Sequence, residues 1–175
     1  MNVEVTKATQ HRIIHDNVGA EEGQIEGAII KHLRSWPDDR GHFTEIFRHD
    51  EPVAENFETL QTSLTMTRPD TIKAFHYHMT QDDIFCPLIG EIRIALVDFR
   101  VDSPTFGYAN SIFCGEHHLK AVRIPRGIAH GYEVLGNNPM TMVYYTDQVY
   151  TPSDEHRQNF DDPAIAFTWW GVENR

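Results

Sequence analysis

The segment Phe75-His76-Tyr77-His78 sets two imidazoles one residue apart. Successive side chains on a β-strand point to opposite faces, so His76 and His78 share one face and the two aromatics the other. Asp83 follows five residues after His78, and Gly90 seven after that. Far downstream, Pro125-Arg126-Gly127-Ile128-Ala129-His130 forms a P-x-G-x-x-H turn that carries a third histidine into a strand. Histidine titrates near neutral pH and is a common metal ligand, so the set can move a proton or hold a cation. His76 and His130, each inside an ordered motif, are its expected centre.

Strands must position these groups, because helical periodicity is scarce; the best helical candidate is a short turn near Glu51 to Phe57. Alternating stretches predict strands at Glu58 to Thr67, Ile72 to Met79, Glu91 to Phe99, Lys120 to Ile124, Tyr132 to Leu135 and Met140 to Thr146. Turn signals separate them, among them Arg68-Pro69-Asp70, Gly90, Asp102-Ser103-Pro104 and Gly136-Asn137-Asn138-Pro139. Many short strands at this spacing imply an all-β sandwich or barrel. No repeat or linker interrupts the chain. Residues 1–175 read as one domain, with 1–24 an N-terminal extension and 25–170 the barrel. The apolar tail Phe167-Thr168-Trp169-Trp170 is expected to pack on its own barrel or on a second copy.

The 175 residues are enough for one core. With 15 Lys and Arg against 26 Asp and Glu, the formal charge of −11 argues against a nucleic-acid partner, which requires a basic stripe. No apolar run reaches the roughly 20 residues of a membrane helix, and residues 1–19 lack a secretion-signal core. Cys86 and Cys114 stand in strand-like sequence and are expected to be buried free thiols, which points to a cytoplasmic protein.

The histidine motifs resemble those of the cupin superfamily, an H-x-H followed by an acidic residue and glycine, then P-x-G-x-x-H. A closer resemblance covers residues 25–170. Asp39-Arg40-Gly41-His42-Phe43-Thr44-Glu45 is similar to the D-x-R-G-x-F-x-E signature of dTDP-4-dehydrorhamnose 3,5-epimerases, a cupin family. The stretch from Gln61 to Lys73-Ala74-Phe75-His76-Tyr77 resembles the family's Q…L-R-G-L-H-Y-Q. Val97-Asp98-Phe99-Arg100 with Ser103-Pro104-Thr105-Phe106-Gly107 resembles V-D-I-R…S-P-T-F-G, and Ile124 to Tyr132 resembles I-P-x-G-F-A-H-G-F. Tyr144, before Tyr150-Thr151-Pro152, stands where the family has its catalytic tyrosine.

The resemblance implies a double-stranded β-helix, the cupin jelly-roll barrel, with a few short helical turns. It also implies a cytoplasmic isomerase of deoxysugar biosynthesis that inverts carbons beside the ketone of a nucleotide-linked 4-keto-6-deoxy sugar, without a cofactor. His76 would be the base and Tyr144 the acid across the ring, with Lys73 and His130 facing the enolate. Arg40, Phe43, Glu45, Gln61 and Ser63 would hold the nucleotide. Family members pair as homodimers by exchanging N-terminal strands, which would involve Ile25 to Arg48.

The departures from the family are as informative. Asp83 stands where the family has a lysine that holds the enolate, His78 replaces a glutamine, and Ser63 an asparagine. The family's C-terminal L-S-x-K-D aspartate, which orients the base, has no counterpart here; Asp161, Asp162 and Glu173 are the available substitutes. His76, His78, Asp83 and His130 together make a donor set suited to a divalent Zn, Fe, Mn or Ni ion. A metal-dependent cupin enzyme is therefore an alternative, and a catalytically inactive sugar-nucleotide-binding protein is another.

Overall fold

Short strands separated by turns build two sheets and a hairpin among the described residues. The computed structural model describes residues 15–18, 25–165 and 167–170. The strands are β1 (His15–Val18), β2 (Ile29–His32), β3 (Ser35–Asp38), β4 (Gly41–Thr44), β5 (Gln61–Thr67), β6 (Ile72–Tyr77) and β7 (Asp83–Ile89). They continue as β8 (Glu91–Asp98), β9 (Tyr108–Gly115), β10 (Lys120–Ile124), β11 (Ile128–Leu135), β12 (Met140–Thr146) and β13 (His156–Arg157). One sheet has the order β1-β9-β8-β11-β6-β13 and the other β2-β10-β7-β12-β5, while β3 and β4 form a separate hairpin. β1 runs parallel to β9; the other pairings are antiparallel. This is the jelly-roll barrel. Among the described residues its helical content is two short 3-10 turns, Pro52–Ala54 and Pro152–Asp154, the first inside the expected turn.

The core between the sheets is made by Ile92, Ile94 and Leu96 of β8, Val122 and Ile124 of β10, Val134 of β11 and Met140 of β12. The outer faces are covered too. Val53, Ala54 and Phe57 close over Ile84, Cys86 and Ala121. The tail closes the other side: Phe167 and Trp169 pack on Phe75 with ring centroids 6.0 and 5.4 Å away. Fully buried Arg93 lies between the rings of Phe167 and Trp170, 4.6 Å from each centroid, and donates to Glu133 at 2.9 Å and to the Thr168 carbonyl at 2.8 Å. The tail thus packs on its own barrel.

Cover on both faces explains why β7 and β9 do not alternate in sequence: a strand buried on both sides has no polar face. β7 runs buried from Asp83 to Pro87, and β9 buries Asn110 and Ser111 completely. Pro87 gives no N–H to the ladder, and the register with β12 shifts there. Cys86 and Cys114 are buried and unpaired. Among the described residues, no helix is long and apolar enough to cross a membrane.

Candidate active site

His76 on β6 lies directly opposite His130 on β11, and the β6–β11 register shifts immediately afterwards, between His130 and Tyr132. Gly131 permits this: a Cβ there would stand 2.3 Å from the Ala74 Cβ and 2.6 Å from the Lys73 carbonyl oxygen. The two imidazole centroids are 4.0 Å apart, and His78 lies 5.6 Å from His76. From the opposite sheet, Asp83 at the start of β7 reaches the same point. Its Oδ2 is 3.1 Å from His130 Nε2 and 3.6 Å from His78 Nε2, and its Oδ1 accepts from Gln81 Nε2 at 2.7 Å.

A clamp of charged groups holds the loops that carry these residues. Asp82 accepts from the Arg126 backbone N–H at 3.0 Å, Arg126 Nε at 2.8 Å and Arg123 at 3.0 Å. Asp147 accepts from the Asp82 N–H and from Arg126, both at 2.8 Å. The Pro125–Gly127 turn needs φ of +80° at Gly127, whose N–H donates to the His78 carbonyl at 2.7 Å. Asp154 caps the Met79 and Thr80 N–H groups at 2.8 and 3.1 Å, and its carbonyl accepts from His78 Nδ1 at 2.8 Å.

His76 and His78 face a cavity of about 450 Å³ between the sheets, and His130 is buried behind them. His76, His78 and Asp83 line it, as do Lys73 and Gln61, and Tyr144 forms part of the facing wall on β12. Strand alternation separates the two adjacent tyrosines: Tyr144 faces the cavity, whereas Tyr145 stacks outside on Phe47 at 4.5 Å. Burial holds the His76 imidazole well below its ordinary pKa, and the neighbouring His130, His78 and Arg157 add to the effect. His76 is therefore a neutral ring with a lone pair at physiological pH.

Four of the sequence candidates lie elsewhere. Arg40, Phe43 and Glu45 belong to the β3–β4 hairpin and its exit, outside the cavity wall. The Arg40 guanidinium pairs with Asp38 at 2.5 Å, Phe43 is 66% exposed, and Glu45 lies 3.6 Å from Arg48. Ser63 accepts from Gln61 at 3.2 Å rather than lining the cavity itself. Asp162 is engaged by Gln158 and by the Ala164 N–H, and Glu173 lies outside the described residues, as does most of the 1–24 extension.

Two residues of the cavity rim, Glu155 and Arg157, carry no signal in the sequence pattern, and a third, Tyr150, entered it only as a landmark after Tyr144. Arg157 pairs with His76 through the two-residue strand β13, too short to show any periodicity. The Tyr150 N–H donates to Gln61 Oε1 at 3.0 Å, which draws the segment after β12 over the cavity.

The family model described as dTDP-4-dehydrorhamnose 3,5-epimerase matches residues 22–175. The chain is 42% identical over 147 residues to the spore coat polysaccharide biosynthesis protein SpsL of Bacillus subtilis, covering 83% of this chain and 96% of that one. Its fold superposes on a dTDP sugar isomerase of Desulfovibrio desulfuricans with a TM-score of 0.77 at 27% identity, over 85% of this chain and 94% of that chain. The dTDP-6-deoxy-D-glucose-3,5-epimerase of Legionella pneumophila, solved in complex with dTDP-4-keto-L-rhamnose, superposes with a TM-score of 0.79 at 26% identity, over 87% and 85% of the two chains.

Proposed function

The chain belongs to the dTDP-4-dehydrorhamnose 3,5-epimerase family, and from that premise we propose that it inverts carbon beside the ketone of a nucleotide-linked 4-keto-6-deoxy sugar. The observation that carries this reading is the placement of His76 and Tyr144 on opposite walls of one cavity. His76 takes the proton from one face of the sugar ring, and the Tyr144 hydroxyl delivers a proton to the other. An enolate forms between these steps, with negative charge on the former ketone oxygen.

Asp83 opposes that charge, so cations must outweigh it. Lys73 supplies one at the cavity wall. The proton on His130 Nδ1 is committed to the Ile128 carbonyl at 2.9 Å. A second hydrogen bond from this ring therefore requires the imidazolium, with Asp83 beside it. These steps use protons and charge alone, and no cofactor enters them.

Gln61, braced by its hydrogen bond to Ser63, holds the nucleotide end from within the chain. Arg40, Phe43 and Glu45 are too exposed to do so alone, and we place them over the cavity of a second protomer in a homodimer. The exposure of Trp36, Phe43, Leu64 and Met66 supports that pairing. The buried free thiols support a reducing, cytoplasmic setting.

Incubation with a dTDP-4-keto-6-deoxyhexose in heavy water tests the reading. Deuterium is expected at a carbon beside the ketone, seen by mass spectrometry and NMR. No incorporation with any nucleotide-linked 4-keto sugar would overturn it.

A further inference from the structure

His130, His76 and Arg157 stand side by side in one register on β11, β6 and β13. Residues directly opposite in antiparallel strands present their side chains to the same face, with Cβ atoms about 5 Å apart. The Arg157 guanidinium therefore shares the cavity side with the His76 imidazole, and it lines the cavity there. Because β13 is the outer strand of its sheet, this end of the row is the mouth. The Arg157 side chain is 78% exposed, whereas that of His130 at the other end is 2% exposed.

A chain of polar contacts runs along the rim from Arg157 to Gln61. The guanidinium donates to Glu155, Glu155 accepts from the Tyr150 hydroxyl, and the Tyr150 N–H donates to Gln61 Oε1 at 3.0 Å. The Glu155 contact engages one terminal nitrogen of Arg157. A guanidinium carries donors on all three of its nitrogens, so the contact orients the group without exhausting it.

We propose that Arg157 binds the diphosphate of the nucleotide-linked sugar, an inference that rests on the epimerase reading. In that reading the carbon over His76 lies beside the ketone. Only one ring atom separates it from the anomeric carbon that carries the diphosphate. The diphosphate therefore leaves the cavity next to His76 and runs toward the nucleoside at Gln61, along the rim that Arg157 begins. Its charge needs a local cation, because the chain as a whole carries −11. Among the described residues, the lysine and arginine side chains on the cavity wall are Lys73 and Arg157, and Lys73 already answers the enolate. A planar guanidinium pairs two N–H groups with two phosphate oxygens, which the point charge of a lysine does not. The open mouth suits a partly hydrated diphosphate better than an enolate, whose stabilisation calls for a dry site.

Calorimetric titration with dTDP, and with UDP, compares the wild type with Arg157→Gln and Arg157→Lys, each checked for folding by circular dichroism. Arg157→Gln should weaken binding of the preferred nucleotide about 10-fold, as for loss of one charge-assisted hydrogen bond. Arg157→Lys should fall between the two. In turnover of the matching 4-keto-6-deoxy sugar, Arg157→Gln should raise KM by more than it lowers kcat. Wild-type affinity in Arg157→Gln would overturn the assignment. So would a fall in kcat at unchanged KM, which would place the guanidinium at the reacting carbon. Wild-type protein that binds neither nucleotide would remove the nucleotide-sugar reading itself, and the assignment with it.

Discussion

His76 and His130 face each other across the β6–β11 pairing with ring centroids 4.0 Å apart, but only one of the two rings has its Nδ1 hydrogen tied to the backbone two residues away. The tied ring, His130, presents a fixed Nε2 beside Asp83. The His76 ring is held neutral by burial and by its neighbours. On the proposed reading, two histidines in one register take different parts, one as proton acceptor and one as a socket for positive charge.

His76→Asn should reduce kcat by about 10²–10⁴, the range for loss of a general base. Tyr144→Phe should remove the proton donor and leave the base. If the roles are right, Tyr144→Phe still exchanges deuterium into substrate but releases little inverted product, whereas His76→Asn does neither. Equal loss of exchange in both variants would contradict the division of labour.

Phe43→Ala should raise KM with little change in kcat, because a nucleotide contact binds ground state and transition state alike. Light scattering on the wild type should give the mass of a dimer. A monomer that turns over substrate would refute placement of the exposed hairpin across a partner.

The barrel and the His76–His130 centre were legible in sequence because strand alternation and the two turn motifs are local signals. Tyr144 was legible too, and the outward stacking of Tyr145 on Phe47 fixes which neighbour faces the cavity. β7 and β9 were legible only as strand-like sequence around Cys86 and Cys114, without bounds, since burial on both faces erases alternation. Nor was the Asp82–Arg126–Asp147 clamp, which joins three distant loops. Asp154 orients His78 through its backbone oxygen, a role any residue type can fill, so its identity carried no hint.

Gly131→Ala tests how closely β11 must approach β6. The added methyl would meet backbone and the Ala74 Cβ inside 3 Å, and neither is a flexible side-chain end. A loss of roughly 1–3 kcal/mol is expected, as for overpacking in a close-packed core. Denaturant unfolding measures the stability, and the same variant should show slower exchange because the His76–His130 register is disturbed. An unchanged unfolding midpoint would mean that the strands can separate freely there.

Asp98 gives the fold a dependence on acid. Burial alone would push its carboxyl up, but hydrogen bonds from Arg100, Ser103 and Thr105 outweigh burial and hold it below the usual carboxylate value. The Arg100 guanidinium donates at 2.8 Å, Ser103 at 2.6 Å and Thr105 at 2.7 Å, and together they tie the end of β8 to the loop before β9. A carboxyl whose pKa is lower folded than unfolded stabilises the fold above its unfolded value, about 3.9. That contribution is lost as pH falls through the lowered folded value. Asp98→Asn removes the charge-assisted bonds and should cost about 1.5–3 kcal/mol at pH 7. The gap in unfolding free energy between wild type and Asp98→Asn should therefore narrow steadily from about pH 5 downward. A gap that stays constant over that range would mean that the Asp98 network holds the loop by shape and not by charge.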